Sequence, residues 1–112
     1  METAIIAAIS SALPDVEIYH DYAYEEAVLP LVIVERVGGE GNLFLSSEAG
    51  GYHIRFYISV WTMDRLDAIN RSKAIETAIL ALPNTSVLGA AVSLTDEETG
   101  KRGMGQDFVI LT

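Results

Sequence analysis

The sequence predicts an α+β fold in which two helices pack on one face of a mostly antiparallel sheet of four to five strands. Two patterns lead to this prediction. Apolar residues alternate with polar ones from residue 53 to 61, as in a half-buried strand, and a long amphipathic helix follows. A shorter amphipathic helix opens the chain, and no repeat or linker divides it. We therefore expect residues 1–112 to form a single domain.

The first helix is predicted over residues 3–13. Its large apolar residues share one side of a helical wheel: Ile5, Ile6, Ile9 and Leu13. Pro14 should end this helix, because proline lacks the backbone N–H and clashes with the preceding turn. Residues 15–30 mix acids with tyrosines and show no sustained period, so we expect an ordered loop with one short strand at residues 16–19.

Two strands are predicted in the middle of the chain. Residues 31–37 follow a proline and are rich in β-branched side chains, and their unbroken apolar start predicts cover on both faces. Glycines at 38, 39 and 41 should end this strand. In the second strand one face carries Ile54, Phe56, Ile58 and Val60, and the other carries Arg55, Tyr57, Ser59 and Trp61.

The long helix is predicted to begin at Asp64, a good N-cap, with Asp67 in its first turn. Pro83 and Asn84 should stop it after residue 82. Its buried stripe is predicted to be small and apolar: Ala68, Ser72, Ile75, Ala78, Ile79 and Leu82. We then expect a strand at residues 87–95, a polar turn at 96–103 and a closing strand at 106–112.

Composition excludes several classes of function. Sixteen Asp and Glu against seven Lys and Arg give a net charge of −9, which disfavours specific nucleic-acid binding. The absence of cysteine excludes disulfides, thiol catalysis and thiolate metal sites. We expect no membrane span, because no stretch approaches eighteen apolar residues, and no export, because the first residues lack a basic flank.

The sequence predicts no catalytic, cofactor-binding or metal site. His20 and His53 are the only histidines, and neither lies in a recognisable motif. His20 with Asp21 and Glu17 offers ligand atoms, but their spacing is not that of a known metal site. The glycines at 38–41 lack the lysine of a phosphate-binding loop. We therefore predict a protein that is not an enzyme.

The long helix carries a second apolar stripe, away from the first, that consists of Leu66, Ile69 and Leu80. One interpretation is that these residues pack under loops of the same subunit, and the other is that they contact a second subunit. Tyr57 and Trp61 on the polar side of a strand favour subunit contact. The full candidate interface is Leu43, Phe44, Leu45, Tyr57, Trp61, Leu66, Ile69 and Leu80.

The order of these segments resembles the phage tail-completion and tail-terminator family. The resemblance lies in the proline-led strand and glycine loop AVLPLVIVERVGGEG at residues 27–41, and in the strand YHIRFYISVWTMD at residues 52–64. The long helix follows, as it does in that family. The match covers about residues 1–82, whereas residues 87–112 fit the family's closing strand pair in layout alone.

The resemblance implies a ring, commonly a hexamer, that sits at the head-proximal end of the tail tube, ends tube growth and helps to join the head. Its partners would be further copies of itself, the tail tube protein and the head connector protein. It would reside in the virion tail, and in the host cytoplasm during assembly. DNA would pass through the ring without specific binding. Candidate residues for an acidic channel or ring edge are Asp15, Glu17, Asp21, Glu25, Glu26, Asp96, Glu97 and Glu98.

Two other functions stay open at this point. A small α+β ligand-binding or regulatory module would share the layout without a role in the virion. An enzyme that uses carboxylates in a cleft is the third possibility. A deep apolar pocket with convergent polar groups would favour either of them over a ring protein.

Overall fold

The computed structural model describes residues 2–21, 28–38 and 53–111, and the fold is stated for these. Two helices and five strands occur in the order α1 (Glu2–Ala12), β1 (Glu17–His20), β2 (Leu31–Gly38), β3 (His53–Thr62), α2 (Arg65–Leu80), β4 (Thr85–Asp96) and β5 (Lys101–Leu111). The strands form one sheet in the order β1-β2-β3-β5-β4. The predicted α+β fold is confirmed.

The sheet is mostly antiparallel, as predicted. β1 and β2 are parallel, with Glu17 opposite Leu31, and the other three strand pairs are antiparallel. β3 lies in the centre, so that Val60 faces Val32 on β2 and Met104 on β5. This register puts the predicted alternation of β3 in the middle of the core.

Both helices contribute to a core on one side of the sheet, which we call the helix face. The core cluster consists of Ile5, Ile9, Leu13, Val32, Val34, Phe56, Ile58, Val60, Ile75, Ile79, Phe108 and Ile110. The opposite side carries Tyr57, Ser59 and Trp61, and we call it the open face. The alternation of side chains along β3 separates the two faces.

α1 matches its prediction closely. Ile5 and Ile9 are fully buried, and the amide of Leu13 donates to the carbonyl of Ile9 over 2.8 Å. The helix ends at Ala12, just before the proline at position 14, which has no N–H to continue it. Ile6 is half-buried and so lies at the margin of the buried stripe.

α2 begins as predicted but ends earlier. The Asp64 carboxylate accepts a hydrogen bond from the amide of Asp67 over 3.0 Å. The helix ends at Leu80, not at residue 82, because the amide of Leu82 bonds to the carbonyl of Ile79 in a tighter turn. The Thr85 hydroxyl donates a hydrogen bond to that same carbonyl oxygen over 2.7 Å. A side chain outside the helix therefore supplies a hydrogen-bond donor to a carbonyl group of its last turn.

The last strand was predicted five residues too short at its start. β5 begins at Lys101, and the preceding turn covers residues 97–100, not 96–103. The additional residues of β5 include Gly103 and Gly105, although glycine usually weakens a strand. Both glycines are buried within β5, where large side chains of β3 take the space above them.

Candidate interaction surfaces

Two aromatic residues of β3 pack over two glycines of β5 on the open face. A β-carbon at Gly103 would lie 2.9 Å from the Trp61 ring, and one at Gly105 would overlap the Tyr57 hydroxyl. The Trp61 indole N–H donates to the Ser59 hydroxyl over 3.2 Å. Tyr57 and Trp61, both candidate interface residues, are therefore half-buried by their own sheet and leave only part of each ring exposed.

Charged side chains flank Tyr57 on the open face. Glu35 on β2 and Asp107 on β5 both stand opposite Tyr57 in the register. Burial raises the pKa of the Tyr57 hydroxyl, and the charges of Asp107 and Glu35 raise it further. Arg55 approaches Asp107 at 3.5 Å, while its buried Nε has no hydrogen-bond partner in the described part of the chain. Two acids and one base thus surround this ring.

The predicted second stripe of α2 consists of Leu66, Ile69 and Leu80, and we call it the outer stripe. Leu66 is 65% exposed and Leu80 is 44% exposed, whereas Ile69 is half-buried. At about 1.5 Å per residue the two leucines lie about 21 Å apart along the helix. The described residues cover Leu80 and Ile69 in part and leave most of Leu66 exposed, so the described part of the chain provides only some of the intramolecular packing that was one of the two interpretations.

The candidate interface residues do not form one patch. The outer stripe belongs to a helix that packs on the helix face, whereas Tyr57 and Trp61 lie on the open face. The sheet separates them, and they form two surfaces. Leu43, Phe44 and Leu45 lie outside the described residues.

Among the acidic candidates near β1, the Asp15 carboxylate is bound by Arg71, which is distant in the sequence. The Arg71 guanidinium donates to both carboxylate oxygens of Asp15, each over 2.9 Å, and to Asp67 over 3.0 Å. The hydrogen bonds from Arg71 hold the pKa of Asp15 below its ordinary value of 3.8. Asp15 therefore connects α2 to the loop before β1.

The other described acidic candidates lie at two distant places, and all are exposed except Asp96, the last residue of β4, which is half-buried. Glu17 lies on β1, and Asp21 follows it with a backbone φ of 70°. Glu97 and Glu98 lie in the turn between β4 and β5, which we call the hairpin tip. β1 and β4 are opposite ends of the strand order, so the described acids form two groups and not one continuous surface. Glu25 and Glu26 lie outside the described residues.

Some exposed apolar residues were not anticipated from the sequence. Val28 is 71% exposed, Met63 is 62% exposed and Val92 is 60% exposed. Met63 immediately precedes the N-cap of α2, a position that often packs against the fourth helical residue, which here is Ala68. Ala68 is too small to cover the Met63 side chain, and this signal was already present in the sequence.

The described residues were also compared with the chemistry of metal and ligand sites. They contain no group of three or more His, Asp or Glu side chains placed to hold a metal ion. One small apolar cavity of about 70 Å³ is lined by Ala4, Leu82, Pro83, Thr85 and Ile110. Ligand pockets usually measure about 300–1,000 Å³, so this cavity is too small for a drug-sized molecule. Neither described helix has the length and apolar character that crossing a membrane requires.

The chain was compared with known proteins. It matches no protein-family model and none of the curated proteins.

Proposed function

We propose that this chain is a structural tail-completion or tail-terminator protein of a phage or prophage. In this role several copies form a ring at the head-proximal end of the tail tube, where the ring ends tube growth and helps to join the head. The proposal rests on the resemblance of residues 1–82 to that family and on one feature of the structure. That feature is the exposed outer stripe of α2.

The outer stripe supports subunit contact because the sheet lies on the other side of the helix. Ala68, Ser72, Ile75 and Ile79 of α2 are buried, which orients the helix. Leu66 and Leu80 consequently project away from the core. A neighbouring copy that covers both leucines would remove their apolar surface from water.

The charge of the chain supports the passage of DNA through such a ring. The chain as a whole has a net charge of −9, and acidic side chains at the wall of a channel would repel the phosphate backbone and prevent DNA from adhering to it. In this proposal, Glu17 and Asp21, or the hairpin tip with Glu97 and Glu98, face the channel or a ring edge.

Incorporation into tails tests the proposal directly. We expect the tagged wild-type chain to co-purify with assembled tails of its phage and to be located at the end that joins the head. Leu80→Asp should be excluded from tails, because a carboxylate cannot be buried without a partner. Asn70→Asp is the matched control, because it adds the same charge at an exposed α2 position and removes no apolar surface. Absence of the wild-type chain from tails would refute the proposal.

A further inference from the structure

β4 is a long edge strand whose only charged residue is its last, Asp96. It spans 12 residues and, among the described residues, pairs with β5 alone. None of the eleven residues at positions 85–95 is charged, and none is proline. An exposed edge of this kind presents free backbone N–H and C=O groups to any other extended chain, and soluble proteins usually protect such an edge with charge or proline.

The opposite edge of the same sheet is protected. β1 has only four residues, carries an exposed Glu17, and is followed by Asp21, whose φ of 70° turns the chain away from an extended conformation. A short, charged strand is a poor template for pairing. The two edges therefore differ in a way that makes β4 the site at which another strand can be added.

A bulge in β4 isolates its second half as a regular segment. The register with β5 shifts between Leu88 and Val92, and Gly89 adopts a φ of +83° within this bulge. The buried Gln106 side chain donates from Nε2 to the Gly89 carbonyl over 3.2 Å and to the Glu76 carboxylate over 2.7 Å. The bulge is thus fixed to α2, and residues 92–96 continue in unbroken register with residues 101–105.

The side chains of this segment offer an apolar border on the open face. Val92 is 60% exposed and Leu94 is half-buried beside Gly105, which also lies under Tyr57. A strand added next to β4 would place every second side chain on the same face. Apolar side chains at those positions would cover Val92 and extend the surface that begins with Tyr57 and Trp61.

The charges at the end of the segment select the partner. Glu97 and Glu98 are exposed in the hairpin tip, directly after Asp96, the last residue of β4. The nearest bases, Lys101 and Arg102, lie on β5, on the side of β4 away from its free edge. Lys or Arg at the adjoining end of an added strand would gain from both carboxylates. β1 of a second copy would instead bring Glu17 close to them, and like charges would oppose that pairing.

We propose that residues 92–96 of β4 are a strand-addition site for an extended segment of another protein, with apolar side chains at alternate positions and Lys or Arg beside Glu97 and Glu98. Antiparallel pairing, the more stable arrangement, places the basic end of that segment at its N-terminus. If the proposed function is correct, the segment belongs to a tail protein, which is the only part of this inference that rests on that function.

Synthetic peptides test the site on the intact chain. The probe is Lys-Lys-Thr-Val-Thr-Val-Thr, the charge control begins with Glu-Glu, and the pairing control has Pro in place of both Val residues. We expect the Lys probe to shift the backbone amides of residues 92–96 in NMR, to protect from exchange those amides that point away from β5, and to change the fluorescence of Trp61, the single tryptophan. The Glu peptide should bind about tenfold more weakly, and the Pro peptide should not bind.

Two sets of variants make the test specific. Val92→Lys should weaken binding of the Lys probe at least about tenfold, whereas Ser86→Lys, before the bulge on the same strand, should leave it unchanged. The double variant Glu97→Lys with Glu98→Lys should reverse the preference, so that the Glu peptide binds more tightly. Glu17→Lys, at the opposite edge, should not reverse it. Circular dichroism spectra should show that every variant is folded.

Several results would overturn the inference. They are failure of the Lys probe to bind, equal binding of the Lys and Glu peptides, amide shifts that leave residues 92–96 unaffected, and a homodimer that Val92→Lys dissociates. The last result would assign the edge to a second copy. None of these results bears on whether the chain enters tails, and its absence from tails would leave peptide binding at β4 unaffected.

Discussion

The hydroxyl end of Tyr57 occupies the space that a side chain at Gly105 would need. Gly105 stands opposite Ser59 in the register, so Tyr57 leans along its own strand to reach over the neighbouring position. Near the end of β3, Trp61 packs over Gly103, which is its direct partner in the register. These two contacts explain why β5 tolerates two glycines and how the open face buries large rings.

Gly105→Ala should therefore lower the free energy of unfolding by about 1–3 kcal/mol, because the added methyl overlaps the Tyr57 ring and forces it to move. Urea denaturation measures the change. In the double variant with Tyr57→Ala, the loss should be smaller than the sum of the two single losses, because the overlap is gone. Additive losses would show that the two residues do not compete for this space.

The ion pair between Arg71 and Asp15 predicts a dependence of stability on pH. The pKa of Asp15 is lowered in the folded chain, so its carboxylate stabilises the fold above its ordinary pKa of 3.8. This contribution should be lost as the pH falls below 3.8 through the lowered pKa. Asp15→Asn should be less stable than the wild type at pH 7, and the difference should disappear in strong acid.

Urea denaturation over this pH range measures the difference. Glu17→Gln is the control, because it removes an exposed carboxylate from the adjoining strand and leaves the pair intact. A difference between wild type and Asp15→Asn that did not change with pH would contradict the assignment of this stabilisation to the ionised carboxylate.

Gln106 should hold the bulge of β4 in place. Gln106→Ala removes the donor that serves both Glu76 and the Gly89 carbonyl, so we expect a loss of about 1–3 kcal/mol in the free energy of unfolding. Hydrogen exchange should accelerate at residues 89–91 more than elsewhere in β4. Thr95→Ala, an exposed change on the same strand, should alter stability by no more than about 0.5 kcal/mol. Unchanged exchange at the bulge would remove this role.

Neighbouring residues of α2 should respond oppositely to the same substitution. Ile79 is fully buried and Leu80 is 44% exposed. Ile79→Asp should unfold the chain, with a loss above about 4 kcal/mol, while Leu80→Asp should stay within about 1 kcal/mol of the wild type. Thermal denaturation of the isolated chain distinguishes them. If Leu80→Asp also unfolded the monomer, Leu80 would belong to the core and not to an interface.

The elements with strong local patterns were predictable from the sequence. The alternation from Ile54 to Val60 gave the central strand and its buried face correctly, and Asp64 marked the start of α2. Pro14 likewise marked the end of α1. In each case the signal lies within a few neighbouring residues. The alternation along β3 is also the periodicity that a strand with one buried face requires.

Contacts between distant residues were not predictable. The acidic stretch after Pro14 contains no Lys or Arg, yet Arg71, 56 residues away, binds Asp15. The glycines of β5 resembled breakers because the rings that need them are on another strand. The bulge of β4 depends on Gln106 and Glu76, which belong to two further elements. These contacts depend on strand register and on side-chain packing between distant segments, and the sequence of one segment reveals neither.

The length of tails assembled without this chain tests the central claim most directly. An in-frame deletion of its gene in the encoding phage, examined by electron microscopy, should yield tails of irregular and excessive length that are not joined to heads. The wild-type gene supplied in trans should restore normal length, and the Leu80→Asp gene should not. Tails of normal length joined to filled heads in the deletion strain would contradict the terminator role.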